Sequence, residues 1–249
     1  MRRLLFIFII IFSSLAVKAQ DPDPLPLISF PDEGMTTQKF TKIELDSLIE
    51  HNIVRFCNQE IDLSTRERQR KLQRELNSIS RFSSVLAERA NFYFPIVEEI
   101  LEHYNIPDDL KYLMVIESGM DPYARSNMGA VGLWQFMKST AQQYGLRVDE
   151  RIDERFQIEK STYAACRYLK DAYSKFGDWV AAAQAYNIGQ ARINYELNHQ
   201  KVEDAIDLDL VEETNRYVYR ILAAKIIFTY PSKFGFKEAN LYYKKLRKR

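Results

Sequence analysis

The 249-residue sequence has little of what a turn-rich, cross-linked or metal-bound fold needs. It holds eight glycines and eight prolines, against average usages of about 7% and 5% of residues. A β-sandwich or barrel would spend more of both at its turns, so the scarcity favours long helices. The two cysteines, Cys57 and Cys166, form no CxxC pair, and His51, His103 and His199 are isolated. With no HExxH either, neither a metal nor another cofactor is expected. An exported chain could join the two thiols, but each sits inside a helical pattern, and both are read as small buried residues rather than as a bridge. Long apolar runs are missing too: residues 4–12 are unbroken, too few for a membrane span of about 20.

The formal charge of +1 conceals an uneven distribution. Eight of the 35 basic residues stand at the two ends: Arg2, Arg3 and Lys18, and then Lys244, Lys245, Arg247, Lys248 and Arg249. The other 27 face 34 acidic residues, so the body carries about −7. Such a body does not present the clustered cations that neutralise phosphates, and no nucleic-acid partner is expected.

Arg2 and Arg3, the apolar run and the ending Val17-Lys18-Ala19 have the pattern of a secretory signal peptide (residues 1–19) cleaved after Ala19. No cysteine adjoins the cut, so a lipid anchor is not expected. The mature chain is expected in the periplasm or cell envelope. Residues 20–41 hold Pro22, Pro24, Pro26 and Pro31 and read as an extended linker. Residues 42–90 read as an N-terminal helical extension. A helix is expected over residues 43–58, and Ser64-Thr65-Arg66-Glu67 reads as a capping box opening the next. Helical pattern resumes at residue 81, and Pro95 is expected to break it.

Residues 91–232 form the candidate catalytic domain. Pro107 suits the first position of a helix, with Asp108 and Asp109 on its positive N-terminal turn. Its apolar stripe is Leu110, Leu113, Met114 and then Glu117, at i, i+3, i+4 and i+7. A carboxylate as fourth member of an apolar stripe breaks the local rule, and such breaks concentrate at functional sites. Desolvation should raise its pKa and keep it protonated near neutrality, as acid-catalysed glycosidic cleavage requires. A structural glutamate at the core edge, snorkelling or paired with arginine, is the other reading that periodicity leaves open. After a loop with Gly119, Gly129 and Gly132, helices are expected over residues 159–176, with Ala165, Tyr168, Leu169, Ala172 and Tyr173 inward, over 179–188 behind an Asp178 cap, and over 211–230. No strand alternation stands out, and the fold is expected to be all-α.

The segment Glu117-Ser118-Gly119-Met120-Asp121-Pro122-Tyr123-Ala124-Arg125-Ser126, continuing through Gly129-Ala130-Val131-Gly132-Leu133-Trp134-Gln135-Phe136-Met137, resembles the goose-type-lysozyme-like lytic transglycosylases of the soluble (SLT) family. Ala185-Tyr186-Asn187-Ile188-Gly189 and Glu213-Thr214-Asn215-Arg216-Tyr217-Val218 are similar to two later motifs of that family, in family order. Residues 93–114 are similar to the run before the catalytic glutamate in the membrane-bound lytic transglycosylase D branch. The resemblance implies a lysozyme-like helical domain cleaving the β-1,4 bond between N-acetylmuramic acid and N-acetylglucosamine in peptidoglycan strands. The muramic acid C6 hydroxyl attacks the anomeric carbon, which gives a 1,6-anhydro sugar and consumes no water.

By that resemblance Glu117 is acid and then base. Ser126 supports the N-acetyl group or the glutamate, Gln135 contacts substrate, Met137 lines the groove, Tyr186 and Tyr217 face Glu117, and Asn187 contacts sugar. The residues alone allow plainer roles: a loop hydroxyl for Ser126, core aromatics for the tyrosines, a helix cap for Asn187. A second carboxylate is unnecessary, unlike in two-carboxylate glycosidases, so Asp121, Asp153 and Glu154 are read as loop caps and ion-pair partners. Relatives often carry C-terminal sugar-binding repeats. Here residues 233–249 form a basic tail, a candidate weak electrostatic contact with membrane or wall. A hydrolytic muramidase and a silent glycan-binding scaffold are the alternatives.

Overall fold

The computed structural model describes residues 49–234 and 236. The leader, the linker, the first part of the expected 43–58 helix and the basic tail from Lys244 lie outside the described residues.

The chain first departs from helix where one was expected. Cys57 and Asn58 both take positive φ, 51° and 66°, which is what a two-residue hairpin turn demands. The flanking strands β1 (Ile53–Phe56) and β2 (Gln59–Asp62) pair antiparallel, with Ile53 opposite Asp62 and Phe56 opposite Gln59. Val54, Phe56, Ile61 and Leu63 are buried while Arg55, Glu60 and Asp62 face water. That period-two alternation was present in the sequence and outweighs the helical reading. The turn is fastened to the body: the Cys57 N–H donates to Asp109 Oδ2 at 2.7 Å, and Lys225 Nζ reaches the same carboxylate at 2.7 Å.

Helix α1 (Arg66–Ile79) is capped by Thr65 rather than Ser64, because the Ser64 hydroxyl is taken by Asp62 at 2.8 Å, and Thr65 Oγ1 accepts the Arg68 N–H at 3.2 Å. Helix α2 (Ser83–His103) runs unbroken through Pro95. The missing backbone bond there is outweighed by burial of Ala87, Ala90, Phe94, Val97 and Leu101 along one face. Pro107 caps a 3-10 turn, Asp108–Lys111, rather than opening an α-helix. Helix α3 (Tyr112–Ser118) follows, and every one of its residues is buried. It stops at Gly119 in the left-handed conformation, where the Gly119 and Met120 N–H groups bond back to Val115 and Met114.

Four helices follow α3 and its loop: α4 (Lys138–Gln143), α5 (Ile158–Phe176), α6 (Trp179–Ile188) and α7 (Gln190–Gln200). The last, α8 (Glu212–Thr229), packs against α1, α3 and α6 together. On α5 the expected inward set is buried except Tyr173, which is 37% exposed. Its ring instead stacks on Trp179 at 4.0 Å between centroids. Cys57 and Cys166 are both buried and free. Among the described residues the fold is helical apart from one hairpin.

Candidate active site

Glu117 is the next-to-last residue of α3. The helix is short, buried all round and ended by a glycine, so its carboxyl group is held in the interior at the start of the 119–137 loop. The loop is built to one shape. Ser118 Oγ donates to Met114 O at 3.1 Å and Leu133 O at 2.9 Å, clipping the loop's far side to the helix end. Arg155 enters from below and donates to Gly129 O and Phe136 O, both at 3.0 Å, while Asp153 holds its guanidinium. At Gly132, with φ +81°, a Cβ would lie 2.2 Å from the Arg155 carbonyl oxygen, so only glycine fits.

Opposite Glu117 stands α8. The Tyr217 hydroxyl donates to Glu117 Oε1. Arg220, one turn on, donates to the Ile116 carbonyl at 2.9 Å and pairs with Glu213 at 3.5 Å. Burial pushes the Glu117 pKa up to about 7, against the lowering pull of the Tyr217 hydrogen bond and the Arg220 charge, with Glu213 raising it slightly further. Burial also raises the Tyr217 hydroxyl well above its ordinary range, with the Glu117 charge adding to it. Tyr217 therefore stays a donor at any pH where the protein is folded. The pair comprises a carboxyl group poised near neutrality and a permanent donor to its ionised form.

The other site residues named from the sequence are distributed around this pair. Tyr186 donates to Trp134 O at 2.7 Å and packs edge-on against Phe136, and its hydroxyl is raised by burial and then by the Glu117 charge. Asn187 accepts from Thr214 Oγ1 at 2.7 Å, linking the end of α6 to the start of α8. Gln135 adopts φ +46° and donates from Nε2 to Gly132 O at 2.8 Å and Ala124 O at 3.3 Å. Ser126 Oγ accepts the Ala130 N–H at 3.0 Å and closes a tight turn. Met137 is exposed, at the start of α4. Only Tyr217 touches Glu117 directly. Asp121 caps Tyr123 and faces Arg89, Asp153 pairs with Arg155, and Glu154 pairs with Lys160, so these three carboxylates are engaged elsewhere.

Arg220, Arg155, Ser118 and Thr214 were not named from the sequence. Glu213, Tyr217 and Arg220 stand at i, i+4 and i+7 on a largely buried helix, and that spacing was the available signal. Arg155 left little, since apart from Asp153 its partners are the Gly129 and Phe136 carbonyls, far along the chain.

A helical domain that buries one carboxyl group beneath a glycine-shaped loop, with a tyrosine as its donor, is defined by both fold and site. Residues 95–208 match the family model of the transglycosylase SLT domain. Membrane-bound lytic murein transglycosylase D of Escherichia coli strain K12 is 32% identical over 152 residues, covering 59% of this chain and 34% of that protein. Peptidoglycan transglycosylase gp16 of Escherichia phage T7 is 36% identical over 118 residues, covering 46% of this chain and 9% of that protein. The 70 kDa soluble lytic transglycosylase of Escherichia coli overlays with a TM-score of 0.48 at 18% identity, covering 70% of this chain and 34% of that one. The chain thus spans about a third of the length of the first relative.

Proposed function

We propose that this chain is a peptidoglycan lytic transglycosylase that cleaves the β-1,4 bond between N-acetylmuramic acid and N-acetylglucosamine without water. The observation that carries the reading is Glu117: buried, poised near pH 7 and bonded to Tyr217 rather than to a cation. Protonated, it gives its proton to the glycosidic oxygen as the C1–O bond breaks. The resulting carboxylate, steadied by the Tyr217 hydroxyl, takes the proton from the muramic acid C6 hydroxyl as that oxygen bonds to C1. The proton balance closes on one residue, so no carboxylate nucleophile is required.

Gln135 fits a substrate-contacting role because its amide N–H groups are spent on backbone, which leaves its carbonyl oxygen to accept from sugar. Ser126 has spent only its acceptor, so its O–H can meet an N-acetyl carbonyl. Met137 and Asn187 are proposed as groove-lining contacts. Tyr186 is proposed as a support for the loop that carries Gln135. The leader supports export to the cell envelope, and the relative in Escherichia coli carries a membrane-bound name. No helix among the described residues is long and apolar enough to cross a membrane. The basic tail from Lys244 is proposed as a salt-sensitive contact with an anionic surface.

Digestion of purified sacculi, with products weighed by mass spectrometry, tests the reading. Anhydro-muropeptides, one water lighter than muramidase products, are expected, with turnover lost by several orders of magnitude in Glu117→Gln. Mostly reducing-end products would identify a hydrolytic muramidase, and binding without any product would identify a scaffold.

A further inference from the structure

The two most exposed large hydrophobic side chains, Tyr123 at 76% and Phe92 at 60%, lie on one surface. Arg89, Phe92 and Tyr93 share a face of α2 at i, i+3 and i+4. Phe92 meets Tyr93 edge-on at 5.0 Å between ring centroids. The Tyr93 hydroxyl, raised by burial, has Arg89, Asp121 and Tyr123 as its charged and titratable neighbours. Tyr123 in turn lies nearly parallel to Phe156 at 6.4 Å, and the Arg125 guanidinium sits 4.7 Å from the same ring. The Phe92–Tyr93 and Tyr123–Phe156 pairs are bridged by the Arg89–Asp121 ion pair at 3.6 Å, and together they form an aromatic ladder interrupted by Arg89, Asp121 and Arg125. Single exposed apolar residues are ordinary, but a contiguous set marks a binding surface.

We infer that this ladder is an accessory glycan-binding surface, which takes a run of β-1,4-linked N-acetylhexosamine residues beyond those held at Glu117. A pyranose offers an apolar C–H face bordered by hydroxyl and amide groups. Flat rings alternating with planar guanidinium and carboxylate groups match that chemistry. The ladder is also continuous with the proposed site. Arg89 donates to Gly119 O at 2.8 Å, at the turn that ends the Glu117 helix. Tyr123 precedes Ala124, whose carbonyl accepts from Gln135. Tyr123 is therefore one residue away from the backbone that holds the Gln135 side chain. The inference rests on the proposed glycan substrate, and it names the surface that favours long strands over short ones.

The test is calorimetric titration of β-1,4-linked N-acetylglucosamine hexamer and dimer into the mature chain in a Glu117→Gln background, so that nothing is cleaved. The hexamer should bind more tightly than the dimer. Tyr123→Ala and Phe92→Ala should each weaken the hexamer roughly tenfold and shrink the advantage over the dimer. Tyr195→Ala removes an exposed ring on α7 away from the ladder and should leave hexamer affinity unchanged. Both ladder side chains are exposed, so unchanged thermal melting is expected and checks folding. The inference is overturned if the hexamer does not bind, if the ladder variants bind it as tightly as the parent, or if Tyr195→Ala weakens it equally. A dimer of the chain that dissociates in Tyr123→Ala with hexamer affinity intact would assign the surface to a second copy and overturn it too. Sacculi that yield no anhydro products sink the proposed function, whereas anhydro products with unaffected hexamer binding in the variants sink the ladder alone.

Discussion

At Glu117 one physical choice governs both chemistry and stability. Burial holds its folded-state pKa at about 7, whereas the unfolded chain ionises it near the usual 4.3. Between those values the folded state holds a proton that the unfolded state has released, so stability falls as pH rises through the window. The loss is complete above pH 7 and amounts to about 4 kcal/mol. Glu117→Gln keeps the shape and can still accept from Tyr217, but it has no charge to bury. It should melt several degrees above the parent at pH 8, the difference closing toward pH 4; equal melting curves at pH 8 would remove the buried-acid account. The parent's rate should fall along an alkaline limb centred near pH 7, where the acid is lost. Tyr217→Phe deletes a hydrogen bond that lowers the Glu117 pKa, so that limb should move to higher pH while maximal turnover falls roughly 10–100-fold. An unmoved limb would mean that Tyr217 only fills space. The glutamate was legible in the sequence because a carboxylate on an apolar stripe breaks the pattern. Arg220 was signalled only by its spacing from Glu213 and Tyr217, and its partner, the Ile116 carbonyl, is visible only in the fold.

The element that shapes the site is the 119–137 loop, and two of its glycines separate strain from collision. Gly129 and Gly132 have nearly the same φ, +85° and +81°, but nothing lies within 4 Å of a Cβ at Gly129. Gly129→Ala should cost about 1 kcal/mol from the left-handed conformation alone. Gly132→Ala adds an overlap with the Arg155 carbonyl, backbone that cannot swing aside. It should lose several times as much stability, with turnover falling as the Arg155 clamp on Gly129 and Phe136 is disturbed; denaturant midpoints of the two variants decide the matter. Comparable midpoints would show the loop to be more yielding than its contacts imply. Other elements were legible to differing degrees. Helices α5 and α6 were readable because α5 ends at Gly177 and α6 runs from the Asp178 cap to Gly189. The hairpin was missed because four-residue strands resemble helix turns, and the deciding signal was two consecutive left-handed residues that no propensity announces at Cys57. Pro95 misled in the opposite sense, since a local break was predicted from a residue whose neighbours are too well buried to let the helix stop.

At the scale of the whole molecule, the N-terminal helix is tied to the Glu117–Tyr217 pair, although the sequence was read as an N-terminal extension followed by a separate domain. Glu75 of α1 is 1% exposed, and Arg216 of α8 grips it with two hydrogen bonds of 2.9 and 3.1 Å. Arg74 adds a third contact to the same carboxylate at 3.0 Å. Arg216 is the residue before Tyr217, so the backbone that aims the phenol at Glu117 is anchored by a carboxylate 141 positions upstream in the chain. The hairpin fastens the opposite end of α8 through Lys225 and Asp109. Burial of a charge is affordable only while its partner stands, and removing one partner strands the other. Glu75→Ala should therefore cost about 2–3 kcal/mol, less than a fully enclosed pair because the Arg216 side chain is 24% exposed. For a chain of this size that is a fall of roughly 5–10 °C in melting temperature. Glu75→Gln retains the shape and one acceptor and should lose less. Because the stranded arginine adjoins Tyr217, turnover should fall in Glu75→Ala even well below its melting point, and the alkaline limb should shift the way it does in Tyr217→Phe. If Glu75→Ala melts earlier yet keeps the parent's pH profile and rate at low temperature, the helix is a support for the fold alone, and the coupling between extension and site is wrong.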